Sequence, residues 1–555
     1  MEKRTILAFV LSFVILVGWS VFFGPKQKQA PKEEKLPPAE APARSSPQAP
    51  KSTELTSPAL SQTPVETPSK KIAKADEKEV EIDTPLYRAI FSNVGPTIKS
   101  FKLKKYYQTI APDSPLVELV NLKDGEGRFL IADFRVPSST QPADAVYHVD
   151  QEAIQLGPDS SPKDLVFSTT TPDGLMIKQT FRFYPDQYRV DLVIDAANQS
   201  ERQIRGAFLA GLGTMSQEKK GYYSFVGLAV FLNDKLEELE PDDLSEGKVL
   251  KGRVGWMAYE NDYFMFAIVP EIPSKGILEG RLLKSGLLEG TCVAPSLELN
   301  PSQGASYQYE LYLGPRDLGI LKQFGHNLDR AINFGWTDII AKPLLYVLRF
   351  FYNFIHNYGV AIILLTVLVK ILFWPLTHKS YKSMKEMQKL QPRMAKIREK
   401  HKNDKQKMNQ EMMALYKTYK VNPMGGCLPM VIQLPVFFAL FRVLGSSIEL
   451  RHAPFILWIK DLSAPDRLFH FPFEIPFMAP PYGIPVLTLL MGASMFIQQK
   501  MTPTPGDPAQ AKIMMFLPIV FTFMFINFPS GLVLYWLVNN LLSIGQQYNI
   551  HKRPA

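Results

Sequence analysis

The sequence predicts an α-helical polytopic membrane protein with six spans, five of which form a core, and an all-β domain inserted after the first span. Three observations lead to this prediction. Long apolar runs occur near both ends of the 555-residue chain, a polar and proline-rich part separates them, and the net charge of +9 is concentrated in one short segment. This distribution excludes a single soluble enzyme.

The excess of positive charge lies between Thr377 and Pro423, where 13 Lys and Arg stand against four Asp and Glu. Elsewhere 49 basic and 49 acidic residues balance each other. The cysteines of the sequence are Cys292 and Cys427. Two distant cysteines exclude a disulfide framework, a cysteine-based zinc site and an iron–sulfur cluster.

Residues 1–24 are predicted to form an N-terminal membrane anchor. The 18 residues from Ile6 to Phe23 carry no charge and follow Lys3 and Arg4, which places the N-terminus in the cytoplasm. A cleaved signal peptide is the alternative, but the residues after Phe23 offer no small-residue cleavage site. Residues 25–78 are predicted to be a disordered linker, because ten prolines occur between positions 25 and 70.

Residues 79–316 show the pattern of an antiparallel β-sandwich. Alternating apolar residues, as in Tyr188 to Ile194 and Tyr307 to Leu313, stand between Gly, Pro and Asn or Asp turns. Residues 317–357 then become helical. The apolar stretch Ile339 to Ile355 could span the membrane, but that would place the basic segment outside, so an amphipathic helix at the interface is predicted.

Residues 358–550 are predicted to contain the five-span core, with the basic segment 377–423 between its first two spans. This order places both termini and the basic segment in the cytoplasm and the large β-domain on the opposite side, as the positive-inside rule requires. The last two spans reach only about 24 and 21 Å as helices, which predicts a locally thinned bilayer. The predicted spans are Gly359 to Leu376, Met424 to Leu444, Tyr482 to Gln499, Ile513 to Phe528, and Gly531 to about Ile544.

Motifs of the common enzyme classes are absent from the sequence. It contains no H-E-x-x-H, G-x-S-x-G, P-loop or Rossmann fingerprint, and none of the eight histidines lies within a predicted span. We therefore expect no enzyme activity, no catalytic residue, no metal, no cofactor and no small-molecule substrate.

A set of polar and aromatic residues lies in the cytoplasmic half of the predicted spans. An intramembrane charge costs about 2.5–3.5 kcal/mol, so polar groups from several helices are best satisfied around one water-filled cavity that opens inward. Alternatively, Lys370 snorkels to the headgroups, Gln433 and the asparagines make ordinary interhelical hydrogen bonds, and Trp536 serves packing. The predicted groove residues are Thr366, Lys370, Gln433, Gln499, Tyr535, Trp536, Asn539 and Asn540.

The basic segment 377–423 predicts two antiparallel amphipathic helices. One apolar stripe runs from Met384 to Ile397 and a second from Met408 to Tyr419. The stripes could pack on each other, or the excess of Met and Lys could bind apolar or anionic partners such as nascent chains, ribosomal RNA or lipid headgroups. The residues predicted to contact the ribosome or a client are Lys396, Arg398, Lys400 and Lys402.

The C-terminal part contains several long and specific motifs: Val421-Asn422-Pro423, Gly425-Gly426-Cys427-Leu428-Pro429, Ile432-Gln433-Leu434-Pro435, Leu457-Trp458, Asp461-Leu462-Ser463-Ala464, and Phe528 to Tyr535. With these motifs the chain resembles the YidC family of bacterial membrane protein insertases, in its Gram-negative form with a large periplasmic domain. The resemblance extends over about residues 335–550, and the β-domain matches more weakly by size and position.

This resemblance implies a function. Members of the family insert and help fold membrane proteins in the inner membrane, alone or with the Sec translocon, through a hydrophilic groove open to cytosol and lipid. The partners implied are nascent membrane proteins, the Sec translocon, the ribosome and membrane lipids. The β-domain is implied to be a β-supersandwich similar to sugar-binding folds.

Two positions depart from the family pattern. The groove's positive residue is usually Arg, and the matching position carries Lys370, which keeps the charge but loses the bidentate fork. The family's substrate-contacting tyrosine pair reads Tyr535-Trp536 here. Two rival functions are a transporter or channel with a solute site at the midplane, and a membrane-anchored periplasmic scaffold. A transporter or channel would require inverted repeats. A periplasmic scaffold would not require Lys370.

Overall fold

The computed structural model describes residues 77–122, 126–137, 145–217, 224–273, 275–419, 421, 428–501 and 508–552. Outside the described residues lie the predicted anchor, nearly all of the predicted linker, the motif residues 422–427 and residues 502–507.

A five-stranded sheet and a thirteen-stranded sheet form the domain before Arg316. The five-stranded sheet has the order β4-β3-β2-β1-β6, in which β1 and β6 are parallel and the other pairs antiparallel. Its strands are β1 (Glu79–Asp83), β2 (Tyr87–Ser92), β3 (Thr97–Tyr107), β4 (Leu116–Glu118) and β6 (Ala153–Gln155).

The larger sheet follows the path β17-β10-β16-β15-β13-β14-β18-β9-β8-β7, with β5 paired to β10, β11 to β13, and β12 to β11. Its strands are β5 (Leu130–Arg135), β7 (Lys163–Thr170), β8 (Leu175–Phe183), β9 (Arg189–Asn198), β10 (Ile204–Met215), β11 (Gly227–Leu232), β12 (Lys235–Leu239), β13 (Lys248–Glu260), β14 (Phe264–Pro270), β15 (Lys275–Leu282), β16 (Leu287–Val293), β17 (Leu297–Leu299) and β18 (Gly304–Pro315).

Alternation of apolar residues along the strands builds one core between the sheets. On β9, Val190, Leu192 and Ile194 are buried, as the period of two predicts. Phe91 of β2 lies 5.1 Å from Phe181 of β8, ring centroid to ring centroid, and joins the two sheets. The all-β character of this domain, predicted from the sequence, is confirmed.

Two helices connect the sheets to the apolar bundle. Helix α1 (Leu318–Phe324) begins at Asp317, whose carboxylate accepts hydrogen bonds from the backbone of Gly319 and Ile320. Helix α2 (Asp338–Ile355) follows. One face of α2 is buried through Ala341, Leu345 and Leu348, whereas Ile339, Tyr346, Phe350 and Phe354 on the other face are exposed. The exposed face is strongly apolar, as a helix at a membrane interface requires.

Six further helices follow α2: α3 (Tyr358–Lys400), α4 (Lys405–Thr418), α5 (Leu428–Ser446), α6 (Val486–Met501), α7 (Pro508–Phe525) and α8 (Ser530–Lys552). Among the described helices, α3 alone is long and apolar enough to cross a membrane by length and composition, and the apolar parts of α5 and α7 are shorter. Helix α8 packs against both α3 and α6. Helices α6 and α7 also approach closely, because a Cβ at Gly492 would lie 2.1 Å from Thr522 Oγ1.

The first predicted core span and the first helix of the basic segment are one continuous helix. Helix α3 has 43 residues and is about 65 Å long, although the sequence analysis ended the span at Leu376. No glycine or capping residue ends the helix there, and Pro375 is accommodated within it. The distal part of α3 and helix α4 form the predicted hairpin.

The apolar stripes of the hairpin pack on each other. Met387, Leu390 and Met394 of α3 are buried together with Val421, and Met412, Leu415 and Tyr416 pack against them. Asp404 caps α4 by accepting a hydrogen bond from Lys407 N at 2.9 Å. The buried methionines therefore hold the hairpin together, and the exposed side of the hairpin is basic.

An ion-pair network joins the start of α1, α2 and the segment after α5. The Arg349 guanidinium lies 3.3 Å from Asp317 and 3.2 Å from Glu449, which follows α5. Burial and the neighbouring Asp317 raise the pKa of Glu449 to about 7, while Arg349 opposes the shift. Arg451 also donates to the carbonyl of Tyr107 at 2.7 Å. The two parts of the chain therefore share charged as well as apolar contacts.

A buried ion pair stabilises the β-domain close to this junction. Glu260 is completely buried, and its carboxylate lies 3.2 Å from the Arg316 guanidinium. Burial raises the pKa of Glu260 to about 7, even though Arg316 lowers it. Arg316 also donates to the carbonyl of Ala331 at 2.7 Å and thereby holds the segment after α1.

We predict that Arg316→Met destabilises the protein by about 3–5 kcal/mol, because it leaves a buried carboxylate without a partner. The cost should be larger above pH 7 than near about pH 5, since protonation of Glu260 removes the unpaired charge at low pH. Thermal unfolding of the full-length protein in detergent at both pH values measures the effect. Arg253→Met removes the exposed ion pair to Asp234 and serves as the control, with a cost below about 1 kcal/mol. Equal costs for the two variants would contradict the prediction.

Candidate functional site

A buried lysine is the centre of the polar residues in the helical bundle. Lys370 of α3 is 7% exposed, and its ammonium donates a hydrogen bond to Ser543 Oγ of α8 at 2.6 Å. The Ser543 hydroxyl in turn donates to the carbonyl of Asn539 at 2.7 Å. A charge on an apolar helix is costly unless polar groups surround it, and these residues supply that environment.

A second contact joins α5 to α8 beside the lysine. Gln433 Nε2 donates to the hydroxyl of Tyr535 at 3.1 Å, and Tyr535 is 2% exposed. Trp536, the next residue, packs among Phe437, Phe521 and Phe525 at ring-centroid distances of 4.7, 6.2 and 4.8 Å. In this structure Trp536 therefore packs against aromatic rings. Of the two adjacent residues Tyr535 and Trp536, Tyr535 is the one that contacts the polar residues.

Other predicted groove residues are satisfied elsewhere. Asn540 donates to Ser494 Oγ of α6 at 3.0 Å, and the Thr366 hydroxyl donates to the carbonyl of Ile362 on its own helix at 2.7 Å. Gln499 lies half-buried near the end of α6. The structure thus turns Asn540 towards α6, although the sequence analysis placed it in the groove. Adjacent residues on a helix point about 100° apart, and in this structure Asn539 lines the cavity while Asn540 contacts α6.

The cavity at this position is small, with about 20 Å³ that the centre of a water molecule can occupy. It includes Lys370, Gln433 and Asn539 from the predicted set, and the residues lining it are Val369, Lys370, Phe373, Leu376, Thr377, Gln433 and Asn539. This lining contains one cation and no carboxylate. The lining therefore combines one positive and several polar side chains with aromatic and aliphatic ones.

The sequence analysis missed residues that complete the site. Ser543 accepts from Lys370, and Thr377 exchanges hydrogen bonds of 3.2 and 3.0 Å with Gln546. Asn539, Ser543 and Gln546 are spaced by four and three residues on α8, so they lie on one helix face. This spacing was visible in the sequence and could have identified them.

The hairpin residues predicted to contact the ribosome or a client lie far from the cavity along the same helix. Lys396, Lys400 and Lys402 are exposed and Arg398 is half-buried. Lys370 and Lys396 are separated by 26 residues of α3, which corresponds to about 39 Å. Within the described part of the chain, no group of three or more His, Cys, Asp or Glu could hold a metal ion.

Comparisons with known proteins match the whole chain. A family model described as the 60Kd inner membrane protein matches residues 350–555, and the model of the YidC periplasmic domain matches residues 79–347. The chain is 43% identical to a protein from Syntrophobacter fumaroxidans named membrane protein insertase YidC, and the match covers 100% of both chains. It is also 43% identical to the protein of that name from Geobacter metallireducens, with 100% and 99% coverage.

A solved structure is also similar to the chain. An active YidC insertase crystal structure, with its first transmembrane domain resolved, is 18% identical, covers 85% of this chain and 95% of its own, and has a TM-score of 0.36. The two family models and the full-length relatives show that the chain belongs to the YidC family of inner membrane proteins.

Proposed function

We propose that this protein is a membrane protein insertase, not an enzyme, and that the cavity beside Lys370 receives the hydrophilic segment of a client. The carrying observation is the buried Lys370 ammonium in a cavity whose lining contains no carboxylate. A lone cation with polar neighbours attracts and solvates a polar or acidic peptide segment. No cofactor and no covalent step are required.

The proposed topology has six spans. The anchor 1–24 and the linker 25–78 precede a periplasmic β-supersandwich at 79–316, the connector and interface helix occupy 317–357, and the core occupies 358–550. Exposed apolar side chains on α3 and α7 support lipid contact, among them Leu372, Phe516 and Phe523. In this topology both termini and the hairpin 377–423 are cytoplasmic.

Insertion proceeds by dividing the client between two environments. Its hydrophilic segment enters the cavity from the cytosol, where Lys370, Gln433 and Asn539 replace part of its hydration. Its apolar segment leaves sideways along the lipid-facing helices. Burial of the new span contributes about 0.8 kcal/mol per CH₂ and drives the step. The cavity lowers the barrier because it shortens the apolar path of the hydrophilic segment.

The proposed partners follow from the charge of the hairpin. Its basic exterior attracts the ribosome and anionic lipid headgroups, and nascent membrane proteins reach the cavity along α3. Cooperation with the Sec translocon is proposed from the family resemblance.

We predict that Lys370→Glu lowers insertion of a single-span reporter with an acidic translocated tail about tenfold or more, because attraction becomes repulsion. The same variant should affect a neutral-tail reporter less, and Lys370→Arg should be nearly silent. Protease protection in cells depleted of the unaltered protein measures insertion. Lys379→Glu changes the charge of an exposed lysine on the same helix and is the matched control. Equal insertion of both reporters by the Glu and Arg variants would refute the electrostatic role.

Reversing Lys396, Arg398, Lys400 and Lys402 to Glu should weaken ribosome binding, and binding of the unaltered protein should weaken as salt rises. Co-sedimentation with ribosomes over a salt series measures both effects. An equal charge reversal of exposed lysines on the β-domain is the control and should leave binding unchanged; the lysines are Lys163, Lys251, Lys275 and Lys284. Salt-independent binding would count against this role.

Deletion of residues 30–315 should leave insertion largely intact, because the cavity is built by α3, α5 and α8. This variant retains Asp317, which lies 3.3 Å from Arg349 in the intact protein. A second deletion that also removes 316–325 should insert less well, since Arg349 loses this partner. Reporter insertion at matched expression levels distinguishes the two. Complete loss of insertion in the first deletion would show that the β-domain is required.

A further inference from the structure

The loop between α5 and α6 exposes large aromatic side chains. Strands β19 (Leu468–Phe471) and β20 (Tyr482–Ile484) pair as an antiparallel hairpin. Phe469, Phe473 and Phe477 are 67%, 59% and 86% exposed. Between residues 472 and 481, Glu474 is the one charged residue. An exposed apolar cluster of this kind marks an interaction site.

A buried arginine holds this loop in a fixed position. Arg467 is 7% exposed and donates to the carbonyls of Pro481 at 2.9 Å and Ile526 at 2.8 Å. Asn527 Nδ2 donates to the carbonyl of Phe477 at 2.9 Å, and Asn527 Oδ1 accepts from Ala479 N at 2.8 Å. Polar contacts to the end of α7 therefore fix the backbone of the aromatic tip.

The backbone of the loop is strained where it presents two of the aromatic residues. Phe469 has φ 55° and Phe477 has φ 65°, a region that bulky residues rarely adopt. Glycine or asparagine would fit these positions better if folding alone determined the residue type. The combination of backbone strain and exposure indicates that these aromatic side chains serve a contact outside the protein and not the folding of the chain.

The loop lies at one defined end of the helical bundle. Asp466 is 3% exposed and accepts a hydrogen bond from Leu487 N, in the first turn of α6, at 2.5 Å. Arg467 contacts Ile526, the residue after the end of α7. In the proposed topology both helix ends face the periplasmic surface. The aromatic tip then lies at the boundary between water and the outer leaflet, and Phe523 and Met524 near the same end of α7 are also exposed.

We propose that the tip of this loop, residues 473–477, inserts into the outer leaflet and contacts lipid acyl chains and headgroup boundaries. Aromatic side chains are favoured at this depth, and the scarcity of charge in the tip keeps the cost of insertion low. The inserted loop holds the outer ends of α6 and α7 close to the membrane surface. This inference rests on the proposed topology, in which α5 and α6 span the membrane.

Fluorescence of a polarity-sensitive thiol label tests the proposal in the full-length protein. Cys292 and Cys427 are replaced by Ala, and Phe473→Cys or Phe477→Cys is labelled with NBD after reconstitution into phosphatidylcholine nanodiscs. We expect blue-shifted emission and loss of intensity when nitroxide-labelled phosphatidylcholine is included. Ile272→Cys on the β-domain, where Ile272 is 72% exposed, is the control for a label in water. Phe516→Cys on α7, where Phe516 is 64% exposed, is the control for a label in lipid.

If both loop labels show the same emission and quenching as the Ile272 label while the Phe516 label is quenched, the loop insertion is overturned. The proposed function is then unaffected. An unquenched Phe516 label would overturn the topology and the loop insertion together.

Photolabelling of the unsubstituted protein with a diazirine phosphatidylcholine gives a second readout without aromatic substitutions. Peptides containing residues 473–477 should carry the lipid adduct, and peptides containing Ile272 should not. Absence of adduct on the loop peptides, with adduct on α7 peptides, would also overturn the insertion.

Discussion

The cost of placing the Lys370 ammonium inside an apolar helical bundle is the constraint on which the site depends. A charge in such surroundings must be compensated by polar groups, and here they come from a facing helix. Ser543 accepts from Lys370, Asn539 accepts from Ser543, and Gln433 and Tyr535 form a second pair beside them. The helices that supply these groups line a cavity with one cation, so the compensation of the lysine and the proposed binding of a polar peptide have the same structural origin.

Stability elsewhere in the chain depends on apolar cores and on a few buried ion pairs. One apolar core extends from the sheets into α2 and α5, through Leu345 and Val443 among others. Arg349 adds a polar contact at this junction by pairing with Asp317 and Glu449. These contacts, made by a partly buried arginine, join α2 to the start of α1 and to the segment after α5. The site is thus supported from outside by residues that do not line it.

The sequence predicted the sheets, the helical hairpin and the cation of the cavity because each has a local signal. Alternation of apolar residues identified β9, the methionine stripe identified the hairpin, and Lys370 stood alone in an apolar run. The neighbours of each polar residue were not predictable in the same way, since helix periodicity defines a face but not the helix it meets. Asn540 therefore contacts Ser494 and not the cavity. The hydrogen bonds from Arg467 to the loop after α5 were not predictable either. The carbonyls that accept them are distant in sequence and leave no pattern near Arg467 itself.

Accessibility of the cavity to water and client is the central claim, and a cysteine at Asn539 tests it most directly. In a protein without its native cysteines, Asn539→Cys in inside-out membrane vesicles is treated with a membrane-impermeant thiol reagent. The account predicts that the thiol is modified from the cytoplasmic side and is protected when a stalled client chain occupies the insertase, whereas Phe516→Cys in lipid stays unmodified. An unmodified thiol at position 539, or one that a client does not protect, would contradict the account.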